Sequence, residues 1–366
     1  MYLYSYARMQ ERGRSMEDTA RTAGPLANLQ TMPPPYTNTF IHPVQMNLEL
    51  TTRCPLKCPQ CYVHLNTGKE LALDQALYWL GKAKEAGISN INLSGGETLC
   101  YSHLTEVIAE CRRLGLCSAV ALSGIYADRA KLRELIDAGV NEIYISLNGS
   151  TEEINKKTRD AYHLAVRALK TLQEMGFRET FVNWVMHEYN ADDLPQMMEL
   201  CESYGVQGLV VLGFKPDSKG MLKSFPTLAQ LEAAAKFIKS YKGTAWIAVE
   251  PCFSTLRAIM GRSALLGNLN RGVTRGCGAG RDGVSINVDG YITPCRHLDF
   301  PEEYTDITEY WNHSEKLREL REIETHRGEP CRGCKYEPYC LPCPDTGCKL
   351  YDGIAAGFRD CPVAKG

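Results

Sequence analysis

The feature that most constrains this chain is a set of three cysteines in C-x3-C-x2-C spacing, Cys54, Cys58 and Cys61. They directly follow the stretch 46–52, which the sequence predicts to be a β-strand. Iron–sulfur clusters are held by cysteine thiolates, and a loop this short can supply three thiolates to one cubane cluster. The fourth iron would then have no nearby cysteine, so it would be free to bind a molecule that reacts.

Composition favours an intracellular metal protein. The 366 residues have room for one large domain and a smaller one, at roughly 100–200 residues per domain. Sixteen cysteines in clusters, without an N-terminal secretory signal, indicate metal binding in a reducing cytoplasm rather than disulfides. The net charge of −2 gives no sign of a nucleic-acid partner, and no apolar run approaches the ~18 residues that a membrane span needs.

The order of predicted elements indicates an α/β fold. Between Gln45 and Gly213, six predicted strands alternate with helices, and several helices end at a glycine. Such a series predicts a parallel sheet, either a partial (β/α)6 barrel of the TIM type or an open sheet, with its active site at the carboxyl ends of the strands. The first cysteine loop falls at such an end. We expect an N-terminal arm at 1–43, an α/β domain at 44–250 and a small cysteine-rich domain at 251–366.

Two further motifs follow predicted strands. Ser94-Gly95-Gly96-Glu97-Thr98 ends the second strand, where paired glycines let a backbone approach a ligand closely and Glu97 can accept hydrogen bonds from an ammonium group. Ser146 ends the fourth strand, and Arg159 follows soon after. A hydroxyl and a guanidinium there can hold hydroxyl and carboxylate groups. Taken singly, these motifs are also compatible with a turn, a helix cap and a surface charge.

Together, CPLKCPQCY and the SGGET that follows about 35 residues later resemble the radical S-adenosylmethionine (SAM) superfamily, over roughly residues 44–215. The resemblance implies that Cys54, Cys58 and Cys61 hold a [4Fe–4S] cluster whose fourth iron is chelated by SAM. It also implies further SAM contacts: Gly95, Gly96 and Glu97 with the methionyl amine, Ser146 and Arg159 with the carboxylate or ribose, and Tyr62 with the adenine. The superfamily often has proline where this chain has Thr98.

The chemistry implied by the resemblance begins with one electron passing from the reduced cluster to the sulfonium of SAM. The carbon–sulfur bond then breaks homolytically, releasing methionine and a 5′-deoxyadenosyl radical that takes a hydrogen atom from the substrate. The cofactor performs the difficult step, and the protein orients it and excludes competing reactions.

A second group of cysteines lies near the C-terminus. Cys277 and Cys295 flank a predicted β-hairpin at 284–293, since Asp-Gly suits a tight turn. The others are Cys331, Cys334, Cys340, Cys343, Cys348 and Cys361. C-x2-C pairs can also bind zinc. In zinc ribbons, however, such pairs are usually separated by about 15–20 residues, whereas five residues lie between Cys334 and Cys340. Eight cysteines match two four-thiolate iron–sulfur sites better.

This region resembles the SPASM extension of many radical SAM enzymes, which binds two auxiliary iron–sulfur clusters. The resemblance implies one auxiliary cluster on Cys331, Cys334, Cys340 and Cys361. It implies another on Cys277, Cys295 and Cys343, completed by Cys348. The chain departs from the family spacing after Cys340, so Cys252 remains an alternative ligand. The expected cofactors are therefore SAM and three [4Fe–4S] clusters.

Two auxiliary clusters imply a net oxidation, and SPASM enzymes act mostly on peptides and proteins. We therefore expect oxidative modification of a ribosomally synthesised peptide, such as a side-chain crosslink, with a flavodoxin or ferredoxin as external electron donor and a separate recognition protein as a possible presenter. Asp217 and Tyr189 are the candidate proton acceptors, because each follows a predicted strand. The alternatives are a sulfatase-type maturase, a sugar or cyclitol dehydrogenase and, more distantly, a non-enzymatic electron carrier.

Overall fold

The protein is described by a computed structural model in residues 32–33, 38–61, 67–261 and 276–365. Within these residues a single mixed sheet contains nine strands: β1 (Gln45–Thr51), β2 (Asn90–Gly95), β3 (Cys117–Leu122), β4 (Glu142–Ser146), β5 (Thr180–Met186), β6 (Gly208–Gly213), β7 (Trp246–Val249), β8 (Gly283–Ile286) and β9 (Ile292–Thr293). The order across the sheet is β7-β6-β5-β4-β3-β2-β1-β8-β9. All neighbours are parallel except β8 and β9, which form an antiparallel hairpin.

Helices connect the parallel strands and fill the C-terminal part. Their bounds are α1 (Leu73–Glu85), α2 (Leu104–Leu114), α3 (Arg129–Ala138), α4 (Glu152–Asn155), α5 (Tyr162–Glu174), α6 (Leu194–Ser203), α7 (Leu228–Ser240), α8 (Ser254–Met260), α9 (Ile307–His313), α10 (Glu315–Glu322), α11 (Pro344–Tyr351) and α12 (Pro362–Lys365). Across the described residues, no helix is both long enough and apolar enough to cross a lipid bilayer.

The connecting helices pack one apolar face on the sheet. In α2, Leu104, Val107, Ile108 and Cys111 recur at helical spacing and are buried. Burying each large aliphatic side chain contributes about 1.5–3 kcal/mol. The helix ends at Gly115, whose φ of 70° lies in the left-handed region that glycine adopts readily. The sequence pattern therefore determines both the buried face and the end of this helix.

The other face of the sheet has its own small apolar layer. Tyr144, Phe181 and Val210 are buried there, with Trp246 packed against them. Side chains two residues apart on a strand share a face, so Ser146 lies above Tyr144 towards the carboxyl ends of the strands. The first cavity described below, which Ser146 lines, lies above this layer.

The predicted α/β fold is confirmed, with its six parallel strands and connecting helices in the order expected of a partial barrel. The sheet is longer than the sequence predicts, because β7 and β8 extend it at opposite ends. β7 is four residues long, too short to show a strand period, and β8 is predicted as a hairpin strand but not as a neighbour of β1. β8 pairs with β1 from Gln45↔Gly283 to Leu48↔Ile286, so a strand from the cysteine-rich part lies beside the strand that precedes the first cysteine loop.

Two smaller expectations concern the chain on either side of the α/β core. The predicted hairpin is confirmed as β8–β9, and the Asn287 carboxamide accepts the N–H groups of Asp289 and Tyr291 in its turn.

Most of the N-terminal arm lies outside the described residues. Its last part is fixed on the C-terminal region, because the Phe40 N–H donates to the Arg281 carbonyl at 2.9 Å and the Trp311 indole donates to the Phe40 carbonyl at 3.2 Å.

Candidate functional site

The first cysteine loop leaves the carboxyl end of β1 and is held against the end of β2. The Gly96 N–H donates to the Thr51 carbonyl at 2.6 Å, and the Glu97 N–H donates to the Arg53 carbonyl at 2.8 Å. A Cβ on Gly95 or Gly96 would lie 2.3 Å from one of these two carbonyl oxygens. The glycine pair is therefore needed for the close approach of two backbones, in addition to lining the cavity beside them.

That cavity has a volume of about 180 Å³ and lies at the carboxyl ends of the strands. It brings together most of the cofactor-binding residues that the sequence predicts: Cys54, Cys58, Cys61, Gly95, Gly96, Glu97, Ser146 and Arg159. Tyr62, the remaining one, lies outside the described residues. These residues come from three separate stretches of sequence, and the parallel topology unites them at one edge of the sheet.

Glu97 is a buried carboxylate with several donors already in place. One oxygen accepts the Leu99 N–H at 3.3 Å, and the other accepts the Ser123 N–H at 2.9 Å and the Ser123 hydroxyl. Burial raises the pKa of Glu97, while the bonds from Ser123 and the nearby Arg159 guanidinium oppose that shift. A carboxylate has about four acceptor positions, so Glu97 retains capacity for one further donor from the cavity.

The lining fits the cofactors that the cysteine spacing implies. The buried hydroxyl of Ser94 and Nε of Arg159 have no hydrogen-bond partner within the described residues, as expected of groups that await a ligand. With Glu97 and the three thiols they offer a cation, an anion, a hydroxyl and soft metal ligands at one place. This donor set matches a molecule that carries an ammonium, a carboxylate and hydroxyl groups and binds beside an iron–sulfur cluster.

The Cys54 thiol of this loop is protonated at neutral pH when no metal holds it. Burial, assisted by Glu97 and the neighbouring cysteines, raises the pKa of Cys54 to about 11. Because metal ligands must be thiolates, loading iron onto this loop releases protons.

Four C-terminal thiols lie on the wall of a second cavity or close beside it. Cys252, Cys277 and Cys295 line this cavity of about 160 Å³. A hydrogen bond from the Cys277 thiol lowers the pKa of Cys343, so these two sulfurs are in contact. Cys343 also contributes electrostatically to the raised pKa of Cys252 and of Cys295, after burial as the main cause. The backbone bridge Gly276↔Leu341 brings the two segments together.

Cys348 differs from these four thiols in its position. It falls within α11, five residues beyond Cys343, and it does not line the second cavity. Burial, followed by the nearby Asp345 carboxylate and then Cys343, raises the pKa of Cys348 to about 11. Of the two residues that could accompany Cys277, Cys295 and Cys343, Cys252 is thus the one on the wall of the same cavity.

The remaining four cysteines of the predicted second set do meet. Cys331, Cys334, Cys340 and Cys361 line one small, almost wholly apolar cavity of about 30 Å³. Cys361 directly precedes α12 and lies some 20 residues after Cys340. Among the residues with described positions, no group of three or more Cys, His, Asp or Glu side chains is arranged to hold a single metal ion.

The first and second cavities share a wall that the sequence does not predict. Its polar members are Ser94, Asn183, Glu250, Arg296 and His297. Glu250 directly follows β7, which has no clear signal in the sequence, and Arg296 and His297 follow the hairpin. Glu250 could have been identified from its position at a strand end only if β7 had been recognised as a strand.

A largely buried ion pair joins Glu250 of this wall to Lys215, which lines the first cavity. Lys215 Nζ lies 2.9 Å from Glu250 Oε2, and the two side chains are 11% and 15% exposed. Glu250 also accepts the Gly213 N–H at 3.1 Å. Burial opposes ionisation of both groups, yet Lys215 holds the pKa of Glu250 below its usual value, and Cys252 and Glu250 raise that of Lys215. Each side chain is therefore ionised because the opposite charge of its partner stabilises it.

Lys215→Met is expected to lower the free energy of unfolding by about 3–5 kcal/mol, since it leaves a buried carboxylate without its partner. The double variant Lys215→Met/Glu250→Gln should recover most of that loss. Lys69→Met is the matched control, because the Lys69–Asp289 pair is exposed and should contribute below about 1 kcal/mol. Anaerobic urea unfolding of the holoprotein measures all three, and equal effects in both single variants would contradict the argument.

Neither candidate proton acceptor is among the residues that line the two cavities. Asp217 lies 2.7 Å from Lys349 in α11. Tyr189 is 42% exposed, and its hydroxyl accepts a hydrogen bond from Ser224 at 3.4 Å. Sequence order correctly locates both residues after strands β6 and β5, but their side chains lie outside the cavities.

Two family profiles match the chain. Residues 48–201 match the radical SAM superfamily, and residues 277–335 match the SPASM iron–sulfur cluster-binding domain. These stretches contain the first cysteine loop and the first four of the C-terminal cysteines. Cys252 precedes the second match.

Curated relatives and solved structures agree with these matches. The chain is 28% identical over 322 residues to a PqqA peptide cyclase of Bradyrhizobium diazoefficiens, covering 81% of this chain and 80% of the relative. It is 26% identical to that of Gluconobacter oxydans over 309 residues, 80% of this chain and 83% of the relative. The fold is similar to Streptococcus suis SuiB bound to the precursor peptide SuiA, with a TM-score of 0.73 and 17% identity over 90% of this chain and 77% of SuiB.

Proposed function

The chain is a radical SAM enzyme with a C-terminal SPASM iron–sulfur domain, and on that premise we propose that it oxidatively modifies a ribosomally synthesised peptide. The observation that carries the proposal is the shared wall between two cavities, one beside the open three-cysteine loop and the other beside four converging thiols. A substrate group at this wall would have a radical source on one side and an electron acceptor on the other. The names of the relatives, a peptide cyclase and a peptide-bound enzyme, support a peptide as substrate.

In this proposal the residues of the first cavity hold the cofactor. Cys54, Cys58 and Cys61 bind a [4Fe–4S] cluster, Glu97 accepts the ammonium of SAM, and Arg159 with Ser146 holds its carboxylate and hydroxyl groups. When bound, the cluster and SAM supply a one-electron reduction and an abstracting radical. The chain itself orients SAM, excludes water from the buried end of the cavity and keeps competing hydrogen donors away.

We assign eight cysteines to two auxiliary clusters. Cys331, Cys334, Cys340 and Cys361 hold one, as the family resemblance implies. Cys277, Cys295 and Cys343 hold the other, and we assign its fourth position to Cys252 instead of Cys348. With the open cluster this gives three [4Fe–4S] clusters, or about twelve irons per chain.

Cys252→Ala is expected to remove or convert one auxiliary cluster and to lower the iron content by up to about four of twelve. Cys348→Ala, the matched control, should keep the full iron content and unchanged Mössbauer parameters. The reverse pattern would return the fourth position to Cys348. This measurement requires no substrate.

The remaining partners belong to the same proposal. A flavodoxin or ferredoxin would deliver electrons to the open cluster, and a separate recognition protein would present the peptide, both in the cytoplasm. The proton acceptor stays a prediction for Asp217 and Tyr189. A movement that brings either side chain to the shared wall would be needed for that role.

The test uses a short precursor peptide encoded beside the gene for this chain. The reconstituted enzyme, SAM and dithionite are incubated anaerobically with the peptide, and the mass change and 5′-deoxyadenosine are recorded. A loss of two hydrogens favours a crosslink or dehydrogenation, while unchanged mass with deuterium uptake from solvent favours epimerisation. The proposal would be contradicted if the enzyme formed 5′-deoxyadenosine and left the precursor peptide unmodified, but oxidised a sulfatase peptide or a cyclitol.

A further inference from the structure

Three buried asparagines form a connected group at the carboxyl ends of β4 and β5, beside the first cavity. They are Asn148, Asn155 and Asn190, exposed by 0%, 1% and 2%. Asn148 is the centre of the group. Its N–H donates to Asn155 Oδ1 at 2.8 Å, and its carbonyl accepts Asn190 Nδ2 at 2.8 Å. Each carboxamide both donates and accepts, which no apolar or singly charged side chain can do.

Both ends of the Asn148 carboxamide are hydrogen-bonded to neighbouring segments. Its Nδ2 donates to Thr158 Oγ1 at 3.0 Å, and its Oδ1 accepts the Val185 N–H at 3.0 Å. The Trp184 indole donates to its carbonyl at 3.2 Å. Because a buried polar group left without a partner costs about 1–3 kcal/mol, this residue is held in one position.

Contacts through Asn155 form one arm of the asparagine group, and this arm reaches the cysteine loop just before Cys58. Asn155 Nδ2 donates to the Arg159 carbonyl at 2.9 Å. The next residue, Asp160, accepts the Lys57 N–H at 3.1 Å. This arm therefore presents the Arg159 side chain to the cavity and anchors the loop backbone at the same time.

The other arm reaches the loop just before Cys61. Asn190 Oδ1 accepts the His187 N–H at 2.7 Å, and His187 Nε2 contacts Gln60 Oε1. His187 is 1% exposed, and burial lowers its pKa to about 3, so the ring is neutral and can donate from Nε2. The two arms thus end on both sides of Cys58.

We propose that Asn155 and Asn190, joined by Asn148, are positioning residues that fix the three-cysteine loop relative to Arg159. The inference rests on the proposed cluster and SAM site, and it assigns their relative geometry to residues outside the cysteine motif. Within the loop, Lys57 and Pro59 are exposed, so their side chains do not anchor it in the core. Partners of this kind typically affect metal affinity or activity by about ten- to hundredfold.

The experiment measures SAM affinity and iron content without any peptide. The reconstituted holoprotein is studied by anaerobic equilibrium dialysis with radiolabelled SAM, by iron analysis and by EPR of the reduced cluster with and without SAM. Asn155→Ala and Asn190→Ala should each weaken SAM binding about tenfold or more, or lose the open cluster's share of iron. Asn141→Ala is the control, because Asn141 bonds Ser118 at the amino end of β4, away from the loop.

Asp160→Ala keeps the test decisive if the buried variants fail to fold. Asp160 is exposed, so this change removes the last link of one arm without opening the core. It should weaken SAM binding several-fold and alter the SAM-induced EPR change, whereas Asp160→Asn, which keeps an acceptor for the Lys57 N–H, should restore both.

Two outcomes would separate the inference from the proposed function. Wild-type affinity and EPR spectra in Asp160→Ala and in every Asn155 or Asn190 variant that folds would overturn the positioning role. A wild-type protein that binds no SAM would overturn the proposed function itself.

Discussion

Cys58→Ala is expected to reduce 5′-deoxyadenosine formation to background while the protein keeps about eight of the about twelve irons that we propose for it. In the proposed assignment Cys58 is the middle one of three ligands, and no cysteine from outside this loop lines the first cavity within the described residues. The C-terminal thiols are grouped around separate cavities. The auxiliary clusters should therefore load without the open cluster.

Cys117→Ala is the control for that experiment, because Cys117 begins β3 at the amino end of the sheet, opposite the cavity. Its variant should cleave SAM at the wild-type rate. Iron analysis, the visible absorption of the oxidised protein and chromatography of 5′-deoxyadenosine give the three readouts. Persistent SAM cleavage in Cys58→Ala would refute the assignment of the open cluster.

Gly96→Ala is expected to lower the free energy of unfolding by about 1–3 kcal/mol and to impair loading of the open cluster. The added Cβ would lie 2.3 Å from the Arg53 carbonyl oxygen and 2.7 Å from its carbon. Both atoms belong to the backbone that leads into the cysteine loop, so the loop must move. We expect iron loss together with a large fall in SAM cleavage.

A second glycine, Gly81, is the control, because its replacement by alanine should stabilise the protein. Gly81 lies inside α1, and a Cβ added there would meet no heavy atom within 4 Å outside its own helix backbone. Gly81→Ala should raise stability by about 1 kcal/mol, because alanine is the better helix former, with SAM cleavage unchanged. Chemical unfolding gives the stability of both variants, and iron analysis gives their cluster content. Equal iron contents would contradict the steric argument at Gly96.

The sequence predicts features that depend on local spacing. Cys54, Cys58 and Cys61 are recognised because three cysteines lie within eight residues, and the hairpin follows from Asp-Gly between two short apolar runs. Topology then adds Glu97 and Arg159, since parallel strands end at one edge. These parts of the site require no knowledge of long-range contacts.

Features that depend on distant contacts are not predictable in this way. The group around Cys252 depends on β7 and on the bridge between Gly276 and Leu341, and neither has a sequence signal. Sequence position alone also does not give the direction of a side chain, as Asp217 illustrates by pairing with Lys349 in α11. The asparagine group acts through Asp160 and His187, which are separated by more than 100 positions from Lys57 and Gln60.

The pairing of β8 with β1 makes the two iron–sulfur regions parts of one folding unit. If the chain ended before β8, β1 would become an edge strand with free N–H and C=O groups. This strand leads directly into Cys54, so loss of order around the auxiliary clusters would be transmitted to the site where SAM binds. On the proposed assignment, damage to an auxiliary cluster by oxygen is therefore expected to disable the radical source without any chemical change at Cys54, Cys58 and Cys61.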